Sequence, residues 1–251
     1  MFFGAVMYTI VTTKEYPPDD LEAFRRMKAE HTGFTQNVSE IMLTISVVDH
    51  LVYAAPDLDS GVAELERLTG VRATAGGSHP GWGTRNALIA LGPDSYIEVI
   101  APDPGQPEPR SPRPFGIDQL TKPKLVTWAA KGTGLEQFRA DASKHGIELG
   151  EVMSGSRRRT DGVQISWQFT SPWKVVESGI LPFFIDWGAS QHPARTAAQG
   201  LKLVELRFVH PDPEGIRTEL QSLGVSLKVI RGSVPALIAV VAGPRGRVEV
   251  R

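Results

Sequence analysis

Apolar and polar positions alternate at two periods along this chain, and the periods change places in a fixed order. Val47 to Ala54 is a short apolar run interrupted by Asp49 and His50, and it breaks at Pro56. It reads as a buried strand. Asp57 or Asp59 can cap the helix that follows, which runs through Val62, Leu65 and Leu68 and stops at Gly70. Asn86 to Leu91 and Tyr96 to Ile100 read as two strands joined by the turn Gly92-Pro93-Asp94-Ser95. The order then recurs. Lys124 to Ala130 is a strand and Leu135 to His145 a helix stopped by Gly146. Ile147 to Met153, Val163 to Thr170 and Leu181 to Trp187 follow as strands. A third round takes Leu203 to Val209 as strand and Glu214 to Leu223 as helix, then Val225 to Ile230, Ala236 to Ala242 and Arg247 to Val250 as strands. Repetition of one supersecondary unit is the main architectural signal.

The segments outside these rounds are irregular. Gly76 to Asn86, GGSHPGWGTRN, has glycines that permit close approach to a ligand. Ala101 to Gln119 is rich in proline and charge, the composition of a lid or wrap-around connection. Residues 1–44 are expected to be a disordered extension that does not belong to the folded unit. Met1 to Val11 lacks a basic leader and is too short to span a bilayer, so neither a signal peptide nor an anchor is expected.

Composition narrows the function classes. With 251 residues, 41% of them hydrophobic and 22% charged, the chain is an ordinary globular one. Its net charge of -1 gives no pull toward nucleic acid or anionic membrane, and neither partner is expected. The run Arg157-Arg158-Arg159 reads as a solvated loop. The absence of cysteine removes thiolate chemistry and Cys-ligated metals and fits a reducing cytoplasm, the expected location.

Within the first round, alternation puts His50, Val52 and Ala54 on one strand face and Tyr96, Glu98 and Ile100 on another. If both line one cavity, an imidazole and a carboxylate meet where a divalent ion could sit. The wording DHLVYAAPDLD, GGSHPGWGTRNALIALG, YIEVIAP and LPFFIDWGASQHPA resembles the glyoxalase-like domain family of the vicinal oxygen chelate superfamily, over roughly Val47 to Pro193. That resemblance implies an α+β fold of repeated β-α-β-β-β modules curled into a half-open sheet. It implies paired modules over 45–193, with a third module over 200–251 packed on the same domain.

It also implies a metal site. Carried over by position, the ligands are His50, Glu98 and Asp186; zinc, iron, manganese and nickel are not distinguished. Leu125 falls where a second histidine is expected and cannot bind metal. His79 and His192, both in His-Pro turns, are candidates to complete the site. The substrate wall is assigned to His79, Trp82, Asn86, Trp167 and His192, and proton shuttling to Glu98 or Asp186. In the third round Glu205 and Glu249 share faces with Arg207, Arg247 and Arg251, the pattern of a salt-bridged surface. The implied function is a metal-dependent lyase, isomerase or dioxygenase acting on a small oxygenated substrate by Lewis-acid chelation. The competing reading is a metal-free protein that sequesters small molecules in the same cup, which Leu125 favours. Cups of this superfamily are often completed by pairing chains, so a homodimer stands beside the small-molecule substrate as an expected partner.

Overall fold

The computed structural model describes residues 47–158, 162–174 and 179–251, all within the unit Glu40–Arg251. The extension expected over residues 1–44 lies outside the described residues. β1 (Val48–Ala54) leads into helix α1 (Leu58–Thr69). Asp57 caps α1 by accepting from Ser60 N at 2.8 Å, and Gly70 closes it in the left-handed region at φ 80°. Val62, Leu65 and Thr69 form its buried stripe. Gly61 lets the helix approach the sheet closely, because a Cβ there would lie 2.8 Å from both Ala55 Cβ and Val99 Cγ1. β2 (Thr74–His79), β3 (Thr84–Gly92) and β4 (Ser95–Pro102) complete the first round.

The second round is β5 (Lys124–Lys131), α2 (Leu135–Lys144), β6 (Val152–Arg158), β7 (Gln164–Thr170) and β8 (Phe183–Asp186). The strand expected at Ile147 to Met153 starts only at Val152. Ile147 and Leu149 are buried as irregular chain after the Gly146 stop. Together the two rounds make one eight-stranded sheet in the order β2-β3-β4-β1-β5-β8-β7-β6. The order is a mirror about the β1–β5 junction. In each half the first strand runs parallel to the fourth, β1 with β4 and β5 with β8, and the halves join antiparallel. The sheet curls until its two edges meet, where Arg157 Nη1 on β6 donates to Gly76 O on β2 at 2.5 Å. The α+β fold of repeated modules with a curled sheet is the one the resemblance implies, and the curl goes beyond half-open to nearly closed.

The curl gives the sheet two unlike faces. Leu51, Tyr53, Ile97, Val99, Trp128 and Ala130 belong to the main core, with the helices and the third round. Val52, Ala54, Ile100, Ala129, Phe169, Phe183 and Ile185 form the inner cluster. The third round is β9 (Lys202–His210), α3 (Pro213–Ser222), β10 (Lys228–Arg231), β11 (Ala236–Gly243) and β12 (Gly246–Val250). It repeats the order of elements but not their pairing. Its separate sheet runs β10-β9-β11-β12, with β10 parallel to β9 in the slot that β4 and β8 occupy in the halves. Phe208 on β9 packs 6.1 Å from the fully buried Trp128, which joins this sheet to the main core. Its charged face carries ion pairs of Arg207 with Glu205 and Glu249 and of Arg251 with Glu249, agreeing with the surface reading.

Candidate functional site

A bulge in β1 sets up the polar wall of the cup. Val48 pairs with Ala130 and His50 with Ala129, so Asp49 is the extra residue between them. Asp49 and His50 are 1% and 3% exposed. His50 Nδ1 donates to Asp49 Oδ1 at 2.8 Å, and Asp49 also accepts from Trp187 Nε1 at 3.1 Å and His192 Nε2 at 3.2 Å. Burial alone would raise the Asp49 pKa. The hydrogen bonds from His192 and His50 outweigh it and hold the carboxyl at about 2, so it is ionised. With Nδ1 committed to Asp49, the Nε2 edge of His50 is turned to Glu98 Oε2, 3.8 Å away. The ring is stacked on Tyr96 at 4.7 Å and 18°. Burial, then the charges of Asp49 and Glu98, push the Tyr96 phenol well above its ordinary range, so it stays protonated.

Glu98 stands on β4, two residues from Tyr96 and on the same face. Its Oε1 accepts from Asn86 Nδ2 at 2.5 Å. The Asn86 amide also lies 3.2 Å from His79 Nε2, and His79 Nδ1 is 2.9 Å from Thr84 Oγ1. Burial lowers the His79 pKa and keeps the ring neutral. Asn86 Oδ1 is buried with no partner and lies against Gly76, where a Cβ would come within 2.1 Å of it. Residue 76 must lack a side chain for the amide to reach Glu98 in this pose.

Much of the lining is aromatic. Trp82 from the β2–β3 turn, Phe115 from the connection, and Trp167, Phe169, Phe183, Ile185 and Trp187 from the second half line the same cavity, about 540 Å3 with its open mouth included. Trp167 lies over Gly155, where a Cβ would be 2.4 Å from its ring. Phe115 is the only non-glycine residue at positive φ (62°) among the described residues, a pose that costs about 1–2 kcal/mol. It sits in the Ala101 to Gln119 connection and lines the cavity.

Of the residues assigned from sequence, His50, His79, Trp82, Asn86, Glu98 and Trp167 line this cavity. His192 stands behind the wall on Asp49 instead. Asp186 is outside it: alternation along β8 turns Phe183, Ile185 and Trp187 inward, and Asp186 Oδ1 accepts from Gly188 N at 2.8 Å. Leu125 belongs to the main core, so the second half turns no residue of that position into the cup. Three residues were missed. Asp49 was hidden by the bulge. Tyr96 was noticed only for its face. Arg157 is not in a solvated loop but 8% exposed on β6 and part of the lining. Alternation from Met153 through Gly155 was the signal for it.

The donor set does not complete a metal centre among the described residues. His50 Nε2 and Glu98 Oε2 are two donors, and a catalytic ion is held by about three protein ligands. Asn86 offers Glu98 its NH2 group, and Ala129, Phe183 and Ile185 are what the second half turns inward. No group of three His, Asp or Glu residues suited to an ion is present among the described residues.

Comparison with known proteins adds the following. A family model described as glyoxalase-like domain matches residues 48–224. No curated protein matches the chain. A hypothetical protein from Staphylococcus aureus is similar in structure at 13% identity, over 76% of this chain and 90% of that one, with a TM-score of 0.54. Methylmalonyl-CoA epimerase from Mycobacterium tuberculosis matches at 20% identity, over 58% and 90%, with a TM-score of 0.37. The Streptomyces coelicolor enzyme matches at 20% identity, over 59% and 99%, with a TM-score of 0.40. The first likeness concerns the fold alone, and the two epimerase scores are too low to carry an argument. No helix of the described residues is long and apolar enough to cross a membrane.

Proposed function

The chain belongs to the glyoxalase-like domain family, in the vicinal oxygen chelate superfamily, and on that premise we propose that it is a proton-transferring enzyme, of isomerase or lyase type, for a small oxygenated molecule. One observation carries this reading. His50 Nε2 and Glu98 Oε2 face each other at 3.8 Å, and both are buried. A buried imidazole and carboxylate facing one gap suit a ligand group that exchanges a proton, such as a hydroxyl or an acidic C–H beside a carbonyl. Glu98 takes that proton and Asn86 holds its other oxygen. His50, oriented by Asp49, takes the substrate hydroxyl proton as the C–H proton goes to Glu98 and returns it to the neighbouring carbonyl oxygen, after which Glu98 gives its proton back to carbon. The Tyr96 phenol, kept protonated, supports the imidazole by stacking.

The finer family expectation, chelation of substrate oxygens by a divalent ion, would draw on His50 and Glu98 and needs a third donor. A metal-free sequestering protein is the second reading, favoured by the apolar lining of the second half. One experiment separates the three. Small 2-oxo and 2-hydroxy carboxylates are incubated in D2O and deuterium uptake is followed by proton NMR, with metal analysis of the same preparations. The expected result is exchange beside the carbonyl by the parent, lost about 100-fold or more in Glu98→Gln and His50→Ala. Near-stoichiometric metal lost in both variants would establish chelation instead. Binding without any exchange would make the protein a sequestering one.

A further inference from the structure

The asymmetry of the cup points to the shape of its ligand. Its apolar side is built from rings where aliphatic side chains would fill space as well. Trp82 and Phe169 meet at 5.3 Å and 65°, Trp167 and Trp187 at 5.2 Å and 50°, and Phe115 and Phe183 at 5.8 Å and 35°. None of these pairs is parallel; the rings meet edge-on or tilted. Ring faces that line a cavity attract flat, conjugated partners more than saturated ones of equal area. His50, Glu98 and the guanidinium of Arg157 lie in the lining of the same cavity.

We infer that the cup takes a flat conjugated ring carrying an acidic or hydroxylated edge, and that Phe115 limits how long that ring can be. The ring lies along the aromatic side, with a carboxylate directed to Arg157 or a hydroxyl directed to Glu98. Phe115 fits the limiting role on two counts. It lines the cavity, and the chain holds it at φ 62° beside Gly116 at φ 67°, a conformation a glycine would adopt without strain. Its ring packs on Phe183, which in turn lies 5.5 Å edge-on to His50. Phe115 therefore stands one ring away from the reacting groups.

This inference takes the location of the polar edge from the proposed function, but its test needs no turnover. Benzoate and cyclohexanecarboxylate have the same charge and nearly the same outline, and differ in flatness and π-electrons. Dissociation constants for both, and for 2-naphthoate and 2-anthroate, are measured by titration calorimetry on the full chain, on Glu98→Gln and on Phe115→Ala. Benzoate is expected to bind about threefold to tenfold more tightly than cyclohexanecarboxylate, in the parent and in Glu98→Gln alike. Phe115→Ala is expected to admit 2-anthroate, which the parent excludes, with its thermal midpoint measured to show that it is folded. Equal binding of the two single-ring acids, or no binding of either, overturns the ring preference. An unchanged length limit in folded Phe115→Ala overturns the role of Phe115. Proton exchange on aliphatic acids without a ring preference would sink this inference and leave the proposed function standing.

Discussion

In the first half of the cup, β1 and β4 lie parallel and carry Asp49, His50, Tyr96 and Glu98. In the second half β5 and β8 lie parallel in the same way and carry Ala129, Phe183 and Ile185. The outward faces match more closely, since Tyr53 and Trp128 both face the main core. The comparison separates two kinds of constraint. Packing of helices fixes the outward pattern of each half, whereas the inward pattern is free to divide, one side taking the polar groups and the other the rings. Arg157 is the exception, a cation sent from the ring-bearing half across the edges to β2.

Removing the acid behind the polar side should have the largest effect. Asp49→Ala leaves the buried His50 and the part-buried Trp187 and His192 without their acceptor, and a loss of about 3–5 kcal/mol is expected by urea unfolding. The acid limb sharpens this test. The Asp49 pKa is lowered from 3.8 to about 2. Its ionisation therefore contributes about 2 kcal/mol that is fully present above pH 3.8 and is lost as pH falls through 2. Asp49→Asn should flatten the unfolding free energy over that window, and a slope equal to the parent's would contradict the assignment.

A smaller effect is expected from Gly76→Ala. The new methyl group would meet Asn86 Oδ1 and push its amide off Glu98, at a cost of about 1–3 kcal/mol. Proton exchange should fall about tenfold, in proportion to the general acid–base contribution of Glu98. Full exchange in that variant would show that Asn86 does not matter to Glu98. The smallest change should come from Asp186→Ala. Its carboxylate serves the Gly188 turn, so exchange should stay within about twofold and stability within about 1 kcal/mol of the parent. A large loss of exchange would return Asp186 to the reaction and break the contrast between the halves.

Much of this was legible in the sequence because periodicity reports packing. The successive rounds, the Asp57 or Asp59 cap of α1 and the β3–β4 hairpin follow from periodicity and turn chemistry, while the pairing of the modules and the meeting of His50 with Glu98 in one cup rest on the family resemblance. The rest depends on features that alternation does not encode. A bulge turns Asp49 to the side of His50, and no residue type announces a bulge at Val48-Asp49-His50. Arg157 sits in a charge run that looks solvated, and it is buried only because two strand edges far apart in sequence meet. Asp186 was placed by position in the round rather than by counting from Phe183. The third round has the right elements, but the strand that takes the slot beside β9 is decided in three dimensions.

The three donors to Asp49 differ greatly in when they become available to a folding chain. His50 is its neighbour, while Trp187 and His192 lie 138 and 143 residues further on. The carboxylate acquires its last two partners only after both halves have formed and closed on each other, and long loops make that closure slow. Exchange protection at the Trp187 indole N–H should accordingly appear late in refolding, after the amides of β1 and β4. Assembly of the cup would then be the final step of folding, and a partly folded chain would carry His50 without the environment that orients it.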